Sequence, residues 1–302
     1  MNEKILTVAL AGNPNVGKST LFNAITGMRQ HTGNWAGKTV GNALGETKYD
    51  NTKLVFADIP GTYSLFAHSA EEEIARDYIC FENPDKVVVV CDATCLERNL
   101  NLVVQTLEIT DNVLVCINLI DEAERKNIKI NKEKLSENLG VPVVSLCASQ
   151  KRGINHLLKR IVKKENQCKV KKIAYTESIE KAIKNIQNVI EKENLSLNLN
   201  LRWLSVRLLE SGDEINEKVR EKTGVDLLVK ESIKRIVAEE IEKLKENNYT
   251  TEIIKDLVAK ATSDTASEVV EGVVEIKDET YLLKDRKIDK ILTGKVTGIP
   301  VM

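Results

Sequence analysis

The chain has 302 residues, 42% hydrophobic but only 4% aromatic, and Lys+Arg 44 against Asp+Glu 45 leave a formal net charge of −1. That length favours two domains over one, and a balance so close to neutral excludes a protein that holds bulk nucleic acid on a basic surface. Six cysteines without a Cys-x-x-Cys pair and three scattered histidines offer neither a disulfide framework nor a histidine metal site, which fits a reducing cytosol.

In chain order, residues 5–11 have the composition of a strand that starts almost at the N-terminus, with no signal peptide before it. Gly12-Asn13-Pro14-Asn15-Val16-Gly17-Lys18-Ser19 follows, the GxxxxGKS phosphate-binding loop, and from Thr20 to residue 26 apolar groups return at helical spacing. The motif needs that strand–loop–helix context. Glycines at 12 and 17 let successive N–H groups turn toward phosphate oxygens, and the helix aims its positive end at the same place. Lys18 is expected to reach the β- and γ-phosphates and Ser19 to ligate Mg²⁺. The apolar runs at 53–57, 86–91, 112–117 and 141–145 read as further strands, bare of polar alternation, as in a parallel sheet covered on both faces. Cys91 and Cys116 lie inside two of them and read as small buried hydrophobes. Strands alternating with helical stretches imply βαβ crossovers.

Beyond about residue 165 the period changes. Ile179, Ile183, Ile186 and Ile190 recur at steps of three and four, as do Trp203, Val206 and Leu209. Residues 226–246 read as one long amphipathic helix and 251–273 as a last one. Residues 166–302 carry 24 Lys+Arg and 25 Asp+Glu interleaved along these faces, the pattern of a solvated surface. No apolar run approaches the roughly 18 residues that a membrane span requires. The expected division is a nucleotide-binding domain over 1–165, an all-α domain over 166–273 and a linker over 274–302.

The phosphate loop leaves ATP and GTP open. Asp58-Ile59-Pro60-Gly61 follows the strand at 53–57, where an Asp can hold Mg²⁺ through water and the Gly61 N–H can touch a γ-phosphate, although Asp-x-Pro-Gly is also an ordinary turn. Asn118-Leu119-Ile120-Asp121 follows the strand at 112–117. A carboxylate there accepts both N1–H and N2–H₂ of guanine, a donor pair adenine lacks; the competing reading is an Asx turn. Cys147-Ala148-Ser149 would set the Ala148 N–H against guanine O6. Their order and spacing favour GTP. Thr39, in a loop freed by Gly33 and Gly37, is the candidate cap for Mg²⁺ and the γ-phosphate; Trp35 in that loop reads equally as a packing anchor.

These residues resemble the cytosolic N-terminal region of the bacterial ferrous iron transport proteins, the FeoB family. The specific part is Gly33-Asn34-Trp35-Ala36-Gly37-x-Thr39-Val40 together with Asp58-Ile59-Pro60-Gly61-Thr62-Tyr63-Ser64-Leu65, supported by Asp92-Ala93-Thr94-x-Leu96-Glu97-Arg98-Asn99-Leu100. The resemblance covers essentially the whole chain. It implies a Ras-like G domain followed by a helical regulatory domain, then a polytopic Fe²⁺ permease domain of the same polypeptide that this chain does not include, at the cytoplasmic face of the cell membrane. It also implies GTP and GDP as ligands, Mg²⁺ as cofactor, K⁺ held beside the phosphates by Asn15, no nucleic-acid partner, and leaves a homo-oligomer open. Lys38, Cys95 and Cys147 depart from the family pattern without removing a ligand.

Thr62 stands where many GTPases have a water-positioning Gln, so slow hydrolysis with backbone positioning is expected; Asn15 reads otherwise as a loop-shaping residue. Two rival readings are a free-standing ribosome- or RNA-associated GTPase, which predicts a basic C-terminal half, and a nucleotide sensor with little turnover.

Overall fold

The computed structural model describes residues 4–27, 43–67, 69–163 and 169–276, and the backbone of 30–32. In chain order the elements are β1 (Lys4–Gly12), α1 (Lys18–Thr26), β2 (Gln30–Thr32), β3 (Ala43–Tyr49), β4 (Thr52–Asp58), α2 (Ala70–Phe81), β5 (Lys86–Asp92), α3 (Leu96–Ile109), β6 (Val113–Asn118), α4 (Ile120–Arg125), β7 (Ile128–Ile130), α5 (Lys132–Leu139), β8 (Val143–Ser145) and α6 (Ile154–Val162). Then come α7 (Glu177–Lys192), α8 (Leu201–Thr223), α9 (Glu231–Glu246), α10 (Thr251–Val270) and β9 (Val274–Ile276).

Seven strands form one sheet in the order β2-β3-β4-β1-β5-β6-β8. The pairs β1–β4, β1–β5, β5–β6 and β6–β8 are parallel, and β2 and β3 add an antiparallel edge. Alternation along each strand sends neighbours to opposite faces. Val8, Leu10, Phe56, Val88, Val90 and Cys116 pack with Leu21 and Phe22 of α1 and Leu157 and Ile161 of α6. Ala9, Ala11, Val87, Val89, Cys91, Val115 and Ile117 face α2 and α3. Both faces are covered, which is why these strands read as unbroken Val/Ile/Leu runs. Cys91 and Cys116 are fully buried, and burial pushes both thiols well above the usual range.

The second core does not stop at α3. Eleven of the fourteen residues of α3 are buried, which leaves that helix almost no solvent face, so its far side must be covered as well. Trp203, Leu204 and Leu208 of α8 and Ile254 and Val258 of α10 belong to the same cluster as the sheet residues. The helical part therefore shares a core with the sheet and its covering helices. Polar ties reinforce the seam. Lys218 of α8 reaches Glu73 at 2.7 Å and Asp77 at 3.3 Å on α2. Glu108 of α3 accepts from the Ile173 N–H at 3.2 Å and the Tyr175 hydroxyl at 3.2 Å.

Three boundaries differ from the sequence reading. The helix placed at 226–246 begins at Glu231: Gly224, with φ 75°, caps α8 in the left-handed conformation that glycine tolerates, and Val229 is 75% exposed. The helix placed at 251–273 ends at Val270. Residues 274–276, read as the start of a linker, form β9 and pair antiparallel with β7, with Ile128 opposite Ile276 and Ile130 opposite Val274. Helical periodicity gives no sign of a short strand whose partner lies so far back in the chain. Among the described residues no helix is long and apolar enough to cross a membrane.

Candidate functional site

The site lies at the C-terminal ends of the parallel strands, which the sheet register brings to one level: Leu10 opposite Asp58, Gly12 opposite Val90, Asp92 opposite Asn118. Ligands bind there in folds of this kind. The turn from β1 into α1 is the phosphate loop. A Cβ on Gly12 would stand 2.7 Å from the Val90 carbonyl oxygen. Gly17 has φ 80° and serves as the N-cap of α1, so the first amides of that helix open toward the loop. Asn15 also takes a left-handed backbone, φ 67°, and is exposed. Asn13 is 3% exposed, and its Oδ1 is buried without a partner among the described residues. Thr20 is exposed on the first turn of α1.

Lys18 and Asp58 form an ion pair, with side chains 10% and 14% exposed. Ser19 Oγ lies 3.4 Å from the other Asp58 oxygen. The chain thus gathers a hydroxyl and a carboxylate, the hard oxygen donors Mg²⁺ takes. No cluster of three or more His, Cys, Asp or Glu able to hold a metal occurs among the described residues. That donor set fits a Mg²⁺ whose shell is completed by phosphate oxygens and water, the usual habit of the ion.

Gly61 lies against the loop: a Cβ built on it would be 3.5 Å from Pro14 Cα and 3.6 Å from the Gly12 oxygen. The next amide, Thr62 N–H, donates to that same Gly12 oxygen at 3.1 Å. Thr62 is 5% exposed and its hydroxyl donates to the Ser64 carbonyl at 2.8 Å. Its side chain is committed to its own turn and cannot orient a water.

At the other end, Asn118 spans three loops. Its Nδ2 donates to the Val16 carbonyl at 2.9 Å, and its Oδ1 accepts from the Ala148 N–H at 3.0 Å. The sequence reading aimed that Ala148 amide at guanine O6; here Asn118 holds it. Leu119, φ 61°, turns the chain so that Asp121 enters the first turn of α4. Asp121 Oδ2 accepts from Gln150 Nε2 at 3.3 Å, while its Oδ1 is buried without a partner among the described residues. A hydrogen bond from the Cys147 side chain, above all, holds the Asp121 carboxyl below the usual carboxylate range, so it is an acceptor at neutral pH. Cys147 is fully buried, 3.3 Å from the Ser149 hydroxyl.

The structure therefore brings Gly12 to Thr20, Asp58, Gly61, Asn118, Asp121 and 147–149 together. Thr39, Gly33, Trp35 and Lys38 lie outside the described residues. Sequence reasoning missed Gln150 and the Cys147 contact to Asp121. It also missed Gln105, which reaches the segment after Gly61 from the middle of α3. Neither glutamine belongs to a motif, the tripeptide at 147–149 does not show that Cys147 meets Asp121, and Gln105 sits in an apolar stretch that reads as plain core.

A mostly parallel sheet with a phosphate loop at one end of this edge and an Asn-x-x-Asp turn at the other defines the G domain, a phosphate-loop nucleotide-binding class. The model of the family described as "Ferrous iron transport protein B" matches residues 6–161, and that of the "FeoB cytosolic helical domain" matches 175–275. The chain belongs to the FeoB family. It is 33% identical over 299 residues to the Fe(2+) transporter FeoB of Staphylococcus aureus (strain MSSA476), covering 97% of this chain and 42% of that protein. It is 38% identical over 298 residues to the Methanocaldococcus jannaschii Fe(2+) transporter FeoB, covering 96% and 43%. The chain spans less than half the length of these relatives. Among solved structures, a GDP form of the T. maritima FeoB cytosolic domain superposes with a TM-score of 0.72 at 30% identity over 91% of this chain and 100% of that one. A GMPPNP form of the same domain gives 0.71 at 31% identity, over 89% and 99%.

Proposed function

We propose that this chain binds GTP and GDP, hydrolyses GTP slowly, and serves as the nucleotide-controlled region of an Fe²⁺ transporter whose permease domain lies outside this sequence, at the cytoplasmic face of the membrane. The observation that carries the reading is Asn118: one carboxamide ties the phosphate loop at Val16 to the base-side loop at Ala148, beside an Asp121 acceptor with a free buried lone pair. That arrangement suits a purine offering two N–H donors, which is guanine. The GDP and GMPPNP forms of the structural relatives support the same ligand class.

In this reading Lys18 exchanges its bond to Asp58 for charge-assisted bonds to the β- and γ-phosphates. Ser19 and Asp58 would hold Mg²⁺, with Thr39 as a further ligand, and the ion would neutralise charge on the phosphates. The Gly61 amide would meet the γ-phosphate, a role its position against the phosphate loop supports. With Thr62 committed to its own turn, the attacking water is positioned by backbone groups, and turnover without assistance is slow. Asn15, exposed on a left-handed turn of the loop, is the side chain proposed to hold K⁺.

Competition binding with GDP, ADP and XDP, together with phosphate release from GTP, tests the reading. Strong preference for GDP and slow phosphate release are expected. Equal affinity for ADP and GDP overturns the guanine assignment.

A further inference from the structure

We propose that Gln105 is a positioning residue for GTP hydrolysis, holding the segment that carries Gly61; this rests on the GTPase reading above. Gln105 is 7% exposed, in the middle of a helix with almost no solvent face. Its Oε1 accepts from the Leu65 N–H at 2.5 Å, and the Ser64 hydroxyl lies 3.4 Å from the same oxygen. Leu65 is itself buried, 4% exposed. A buried polar side chain on a core helix thus satisfies a buried backbone amide of a loop 40 residues away, a contact costly to leave unmade.

From that anchor a short run of hydrogen bonds leads to the phosphate loop. The Ser64 hydroxyl accepts from the Phe66 N–H at 3.0 Å. The Ser64 carbonyl takes the Thr62 hydroxyl at 2.8 Å, and the Ser64 N–H donates back to that oxygen at 3.3 Å. The Thr62 N–H closes on Gly12 at 3.1 Å. The segment that follows Gly61 is therefore held at both ends, by the phosphate loop at Thr62 and by α3 at Leu65. Outside this run, Arg98 on the first turn of α3 stacks on the Tyr63 ring at 4.6 Å, so one helix holds the segment at two points two turns apart. A GTPase without a water-orienting side chain depends on where its backbone amides sit. Misplacement by about 1 Å costs on the order of 100-fold in rate. The group that fixes this segment then governs kcat while leaving binding, carried by Lys18 and Asp121, untouched.

The test compares wild type, Gln105→Leu and Gln105→Glu in the full chain. Leu keeps the bulk and removes the acceptor; Glu keeps an oxygen at the same reach. Gln105→Leu should lower kcat for GTP about ten- to hundredfold with KM and GDP affinity within about twofold, and Gln105→Glu should recover most of the loss. Amide exchange at Leu65 should speed up in the Leu variant and be restored in the Glu variant. Unchanged kcat in Gln105→Leu, or unchanged exchange at Leu65, overturns the proposal. So does a loss of GDP affinity parallel to the loss of kcat, since that marks a merely structural residue. A wild type that binds GDP but releases no phosphate from GTP overturns the hydrolysis reading itself, and the positioning role with it.

Discussion

The Nδ2 of Asn118 occupies the space a Cβ on Gly17 would need, and it donates from there to the Val16 carbonyl at 2.9 Å. Glycine at 17 is thus required twice, by its φ of 80° and by its neighbour. Gly17→Ala should lose nucleotide binding: a left-handed non-glycine residue costs about 1–2 kcal/mol, and the overlap moves Asn118 or the loop. Asn118→Ala should also fail, because the Ala148 N–H loses its partner at about 1–3 kcal/mol for a buried group. Titration with fluorescent GDP, with circular dichroism to confirm folding, checks both.

Asp121→Asn should shift preference from guanine toward xanthine, since one of the two acceptors becomes a donor; competition between GDP and XDP reads it directly. The pH dependence follows from the same carboxyl. Its folded value is depressed, so its contribution is present above the unfolded value of about 3.9 and is lost only as pH falls through the lower, folded one. The preference for GDP over ADP, in which the common titration of the terminal phosphate at about pH 6 cancels, should stay flat from pH 8 to 5. Cys147→Ala removes the hydrogen bond that depresses the carboxyl, so the acid loss of that preference should begin at higher pH.

K⁺ should accelerate GTP hydrolysis over Na⁺ at equal ionic strength, by about tenfold or more if a cation near the phosphates contributes a few kcal/mol as placed charges do. Asn15→Ala should abolish the difference and leave GDP binding largely intact. Equal rates in KCl and NaCl reduce Asn15 to a loop-shaping residue, a role its φ of 67° already suits.

Arg202 sits at the seam between the two halves, bonded to Glu180 at 2.7 and 2.8 Å and to the Ile173 carbonyl at 2.8 Å, with Glu108 at 3.9 Å. Burial raises the Glu108 carboxyl, opposed by Arg202. Because the folded value is raised, the protonated acid is favoured in the native state. Stability on this account is greatest below the unfolded value of about 4.3 and declines as pH rises through the raised one. Arg202→Met should destabilise by about 3–5 kcal/mol, the cost of stranding a buried charge, and should steepen that decline; Glu108→Gln should cost less. Thermal unfolding at pH 5 and pH 8 separates them.

Much of this was readable beforehand because local chemistry wrote it down. The phosphate loop needs Gly12 and Gly17, and the central strands announce double burial through runs such as Val87-Val88-Val89-Val90. What was not readable depends on contacts across long separations. The edge strands β2 and β3 are short or half-polar, and only the pairing of β3 with β4 and of β2 with β3 makes them strands. Gln105 and Gln150 find partners 40 and 29 residues away. Nor does the tripeptide at 147–149 show that the Ala148 N–H has Asn118 Oδ1 for a partner, 30 residues back in the chain.

The β7–β9 pair joins three residues to three, yet it is placed where little is needed. β7 begins two residues after α4 passes its C-cap Lys126, and α4 carries Asp121 in its first turn. Asn131 extends the contact by donating its N–H to the Val273 carbonyl at 2.8 Å, and Asn138 Nδ2 reaches the Val269 carbonyl at 2.9 Å. Ile276, the last residue described, is therefore held against β7, the strand that follows the helix carrying Asp121. Three residue pairs are all that such a ladder holds, and opening it would first loosen β7, which lies two residues past the C-cap of the helix that carries Asp121.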